Sequence, residues 1–91
     1  MIIIGTFEAV VMDAVFREFS SKENPNKTFK VNEVEFSAPT LGINGKIRDW
    51  DLSTPIQELT KGRKVKISYN RCQPVKGLAT FFEFSGKVTL I

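Results

Sequence analysis

Three aromatic residues in this sequence stand among polar and charged neighbours, two of them beside clustered cations. Trp50 alternates with Lys46 and Arg48, so on an extended chain the three share one face. Phe29 follows Lys22 and Lys27 and precedes Lys30 in a polar, turn-rich stretch. Phe81 alternates with Glu83, Ser85 and Lys87, an apolar ring on a polar face. An aromatic face can stack a planar ring, and adjacent Lys or Arg can neutralise phosphate. Arg71 and Lys76 flank the segment Cys72-Gln73-Pro74-Val75-Lys76-Gly77 and can close on such a ligand from the other side. Tyr69 ends an alternating apolar run, which predicts a half-buried ring with its hydroxyl at the rim. Each aromatic also has a bland reading. Trp50 can join Leu52 in the core, Phe29 can follow Val31 inward, and Phe81 can fold under where the last strand curls.

Other chemistries find little support. The chain has no histidine, which removes the commonest general base and metal ligand. One cysteine, Cys72, allows no internal disulfide and suits a reducing cytoplasm; with no histidine beside it, a zinc site within one chain is nearly excluded. No phosphate-loop, dinucleotide-binding or nucleophile-elbow motif is present. The expectation is therefore no catalytic residue, no metal, no cofactor and no enzyme. Asp49 and Asp51 share one face and could hold a divalent ion, but solubility of an edge strand explains them more simply. Glu33 and Glu35 fall on the strand next to the Trp50 face. A phosphate-binding surface needs them on the opposite face or at its edge.

The elements that position these residues are strands. Residues 62–71 carry the cleanest pattern, with Val65, Ile67 and Tyr69 alternating against Lys64, Lys66 and Ser68. The first strand is long and apolar in both parities, which predicts a bend at Gly5 or near Met12 and Asp13 and a strand shared by two sheets. The second strand spans residues 28–36. Its apolar parity changes at Asn32 and Glu33, which predicts a bulge there. Asn44-Gly45 predicts a turn before a third strand over 46–52. Residues 53–59 predict a short helix, with Thr54 as N-cap and Pro55 in the first helical position. A fifth strand covers 78–90, with Phe82, Phe84, Val88 and Leu90 inward.

The fold class is thus all-β: a five-stranded OB-fold-like Greek-key barrel with one short helix between strands three and four. An SH3-like barrel is the runner-up. Ninety-one residues, 42% hydrophobic with eight Phe, suit a single domain over 1–91 with one small core. No apolar run nears the ~20 residues of a membrane helix, and the start Met1-Ile2-Ile3-Ile4 reads as strand, not as a signal peptide. The net charge of +3 and pI near 9.2 are compatible with a polyanionic partner.

The strand order and the segment Ser21-Lys22-Glu23-Asn24-Pro25-Asn26-Lys27-Thr28-Phe29 resemble the small OB-fold single-stranded DNA-binding proteins of bacteriophages and mobile elements. The resemblance implies binding of single-stranded DNA, or RNA, with little base preference in a basic groove, within the bacterial host cytoplasm. The sequence ends on Val88-Thr89-Leu90-Ile91, unlike the acidic tail of the bacterial housekeeping type, so recruitment through such a tail is not expected. An interaction module that binds protein through its sheet is the alternative function. The apolar segments at both ends predict unpaired edges and a homodimer.

Overall fold

The computed structural model describes residues 5–91; the apolar stretch Met1-Ile2-Ile3-Ile4, and the dimer argument built on it, lie outside them. The first strand, β1, spans Gly5–Ser20. Its register slips between Val11 and Asp13, in the region where the mixed parity predicts a bend. From Gly5 to Val10 the strand pairs with β4, and from Val10 onward with β2; the odd residues Phe7, Ala9 and Val11 face inward ahead of Met12, and the even residue Ala14 takes that side beyond it. One extra residue turns the strand over, and this accounts for apolar residues in both parities.

β2 spans Thr28–Ala38. It pairs continuously with β1 and β3 through Asn32 and Glu33, so the bulge expected there is absent. The parity change is real: Val34 and Phe36 point into the barrel, and Val31 is buried on the outer side. β3 spans Ile43–Asp49, not 46–52. The reversal before it comes at Pro39 to Gly42, where Leu41 N–H donates to the Ala38 carbonyl and Gly42 takes a positive φ of 66°. Asn44-Gly45 is strand, because Gly45 lies where a Cβ would meet the Phe36 ring at 2.8 Å and the Phe82 carbonyl at 2.7 Å. β4 spans Lys64–Pro74 and slips register at Asn70; β5 spans Phe81–Leu90.

The strands close into a barrel in the order β1-β2-β3-β5-β4, with the β3–β5 pair parallel and all others antiparallel. This is the Greek-key arrangement expected. Val11, Val34, Phe36, Ile47, Val65, Ile67, Phe84 and Val88 fill it. Phe36 and Phe84 cross at 5.5 Å between centroids, and Phe7 packs on both.

The expected helix is a single 3-10 turn, Ile56–Glu58, with no side-chain cap. Thr54 is buried and does not cap: its hydroxyl donates to the Val88 carbonyl at 2.6 Å. The tie to β5 holds the connection against the barrel mouth, where Leu59 is buried in the core. Asp49 is neither an edge solubiliser nor a surface ligand. It is 1% exposed and accepts from Val88 N at 3.1 Å, Asp51 N at 3.0 Å, Ser53 N at 3.2 Å and Ser53 Oγ at 3.3 Å. A buried carboxylate needs such partners, and this one uses them to staple the end of β3 to β5.

The apolar end at Val88 to Leu90 is not an open edge. One side pairs with β4, from Ile67↔Val88 to Val65↔Leu90. On the other, Asp49 and Thr54 take up the Val88 backbone N–H and carbonyl.

Candidate nucleic-acid interface

Strand register sorts the outer face into rows that cross several strands. One row joins Val15 of β1, Glu33 of β2, Arg48 of β3, Ser85 of β5 and Arg71 of β4. The next, toward the loop 75–80, joins Asp13, Glu35, Lys46, Glu83 and Gln73. On the other side, toward the loop 21–27, Arg17 stands opposite Val31 and Phe19 opposite Phe29. One register step beyond Asn32↔Asp49 sets Trp50 beside Val31. Adjacent strands lie about 4.8 Å apart, so a row crossing five strands follows roughly 19 Å of the curved barrel wall.

The Phe19–Phe29–Trp50 group is a half-exposed aromatic platform, with exposures of 45%, 42% and 48%. The Phe19 and Trp50 centroids are 6.3 Å apart, and Lys27 Nζ lies 5.4 Å over the Phe29 ring. Val31, on the same face, is fully buried; the surrounding long side chains close over it. Three partly exposed rings on one small surface make an apolar patch of the kind that contact sites use.

Beside the platform lie two arginines from neighbouring rows. Arg17 and Arg48 both turn their Nε toward Glu33, Arg17 to Oε1 and Arg48 to Oε2, the latter at 3.4 Å. Farther along, Lys46, Arg48 and Arg71 line a groove of about 400 Å³ with Gln73, Glu83 and Ser85. The acidic residues take three different places. Asp49 points to the barrel end and Glu35 sits in the flanking row, as a phosphate-binding face requires. Glu33 does not turn away: it lies in the floor of that face, 8% exposed and held by two guanidinium groups. Glu83 also lies at the groove edge, where Gln73 Nε2 donates to it at 3.3 Å.

The residues expected from sequence separate accordingly. Phe29, Lys46, Arg48, Trp50 and Arg71 come together on one face, with Lys27 at its edge. Trp50 is not in the core: it sits in the turn after β3. Lys22 is exposed in the loop 21–27 and Lys76 in the loop 75–80, at opposite ends of this surface. Phe81 shares the outer face, as its parity predicts, and is half-buried at the far end opposite Asn44. Lys30 pairs with Glu18 and faces the other side of the hairpin from Phe29; strand alternation separates it from the platform. The Tyr69 ring turns inward, 5.0 Å from Phe84 and 5.7 Å from Phe7, and offers no stacking face. Cys72 lines the groove, and burial pushes its thiol pKa up, which leaves it a poor nucleophile.

Phe19 and Arg17 are the contributors that sequence reasoning passed over. A signal for them existed. Folding the hairpin evenly about the loop 21–27 sets Phe19 opposite Phe29 and Arg17 two positions along the same face.

No family model matches the sequence, and no curated protein matches it. Among solved structures, the chain is similar to the second OB-fold domain of replication protein A from Methanococcus maripaludis, determined by solution NMR. The TM-score is 0.62 at 20% identity, over 98% of this chain and 84% of that one. The barrel is an OB-fold. OB-folds that bind oligonucleotides or oligosaccharides use the face of strands two and three, flanked by the first and last hairpin loops; here β2 and β3 carry Glu33, Glu35, Lys46 and Arg48 on that side.

Proposed function

We propose that this protein binds single-stranded nucleic acid, DNA foremost and RNA as a second ligand, with little base preference and without catalysis. The observation that carries the reading is the aromatic platform of Phe19, Phe29 and Trp50 beside the cations Arg17, Arg48 and Arg71. Binding that tolerates any sequence needs these two parts, stacking faces and a cationic track. The absence of histidine supports a binding role over catalysis. The resemblance of the loop 21–27 region to phage and mobile-element proteins supports a source of that kind, and the lone cysteine suits a reducing cytoplasm. Self-association into a homodimer belongs to the same reading, with exposed Ile91, just beyond β5, as apolar surface for a second copy to cover. In light scattering, a mass near 10.3 kDa refutes that part and about twice that value supports it.

The test is titration of labelled oligo-dT across a salt series, read by anisotropy and by fluorescence of Trp50, the single tryptophan. About three phosphate contacts predict a slope of log affinity against log salt near −2. Quenching of Trp50 is expected on binding. No binding at low salt, or binding insensitive to salt, refutes the reading and turns attention to a protein ligand.

A further inference from the structure

We infer that Glu33 is a positioning residue for the polyanion site: an acidic side chain that strengthens binding of a phosphate backbone by aiming two arginines at it. The inference rests on the proposed function and assigns a role to a carboxylate that simple charge counting marks as unfavourable.

The geometry carries it. Glu33 points outward from the middle of β2, with Arg48 directly opposite on β3 and Arg17 diagonally opposite on β1. Its side chain is 9% exposed, and both arginine side chains are 53% exposed. Each guanidinium meets the carboxylate through Nε, the nitrogen nearest the chain, and each takes a different carboxylate oxygen. Among the described residues the terminal nitrogens of both have no hydrogen-bond partner. A guanidinium offers five N–H donors in a rigid fork that matches phosphate. Anchoring it at Nε leaves the outer fork free and removes the rotamer freedom that binding would otherwise have to suppress. A carboxylate that competed with phosphate would be expected to occupy the outer forks and to sit exposed. Glu33 does neither.

A brake and an aiming device predict opposite signs. If Glu33 only repels phosphate, removing its charge tightens binding. If it aims the arginines, removing it loosens binding although the face becomes more positive. Glu33→Gln keeps the volume and one oxygen acceptor, so it can hold only one of the two arginines. Glu33→Asp keeps the charge and loses the reach, so it changes geometry alone. Glu35, exposed in the flanking row and in no ion pair among the described residues, is the control for charge.

The experiment is oligo-dT titration of the full chain and the three variants, after circular dichroism confirms each fold. At about 0.1 M salt, Glu33→Gln and Glu33→Asp should each weaken binding on the order of tenfold, with a shallower salt slope as an aimed phosphate contact is lost. Glu35→Gln should tighten it about two-fold. In the free protein, the Nε–H resonances of Arg17 and Arg48 should be slowed in exchange by Glu33, and one of them released in Glu33→Gln. Tighter or unchanged binding by both Glu33 variants overturns the aiming role and leaves the binding function standing. Failure of the wild-type chain to bind overturns both.

Discussion

Asp49→Asn is the sharpest test of how the site is supported. The substitution changes almost no volume, so its cost comes from hydrogen bonding alone. Oδ2 of Asp49 accepts from two backbone N–H groups, Val88 and Ser53, and Oδ1 accepts from Asp51 N and from the Ser53 hydroxyl. The better orientation of an asparagine puts its oxygen at Oδ2 and its amino group at Oδ1. The Ser53 hydroxyl can rotate and accept; the Asp51 N–H cannot, and it loses its partner. Stranding one such donor costs about 1–3 kcal/mol, and demoting two charge-assisted bonds to neutral ones costs roughly 0.5–1 kcal/mol each. Burying an amide in place of a carboxylate returns part of this. The balance is a loss of about 2–3 kcal/mol. A domain of this size shifts its Tm by about 4–8 °C per kcal/mol, so a fall of roughly 10–20 °C is expected. Urea unfolding followed by circular dichroism measures it, with the midpoint moving and the m-value unchanged. A variant within about 0.5 kcal/mol of wild type, or one more stable, refutes the account of Asp49 as the staple between β3 and β5.

Two further substitutions separate the parts of the outer face. Trp50→Ala should weaken oligo-dT binding by about 1–3 kcal/mol through lost stacking, while changing stability little because the ring is half exposed; unchanged affinity in the folded variant removes Trp50 from the platform. Arg71→Gln should reduce the magnitude of the salt slope by about 0.7, one single-strand contact, whereas Lys30→Gln, on the far side of the hairpin, should leave it unchanged; equal effects in the salt titration refute the placement of the track.

Much of the barrel was legible because its signals are local. The alternation through Val65, Ile67 and Tyr69 marks β4, and the mixed parity of the first strand marks its bend near Met12. Errors arose where a distant partner decides the conformation. Asn44-Gly45 carries a turn signature, yet Gly45 is in β3 because Phe36 and Phe82 press against it. Thr54 carries a cap signature, yet its hydroxyl goes to Val88, thirty-four residues on. Parity also placed Phe29, Trp50, Arg48 and Lys46 on usable faces. It could not join them, because a row across five strands depends on register that no single strand encodes. Closeness to Phe29 in sequence favours Lys30, yet alternation puts it on the other side. Charge alone counts against Glu33, and only its two arginine partners reveal why a carboxylate can occupy the floor.

The strand order has a consequence for synthesis. Ribosomes make β5 after the other four strands, yet it lies between β3 and β4. Until residues 81–90 emerge, β3 and β4 each keep an unpaired side, Asp49 lacks Val88, and Arg71 and Arg48 have no strand to bring them together. A nascent chain can form the β1–β2–β3 meander with its aromatic platform and still lack a closed barrel. Closure then waits for β5, and the waiting strand edges are the surface by which an unfinished chain would aggregate.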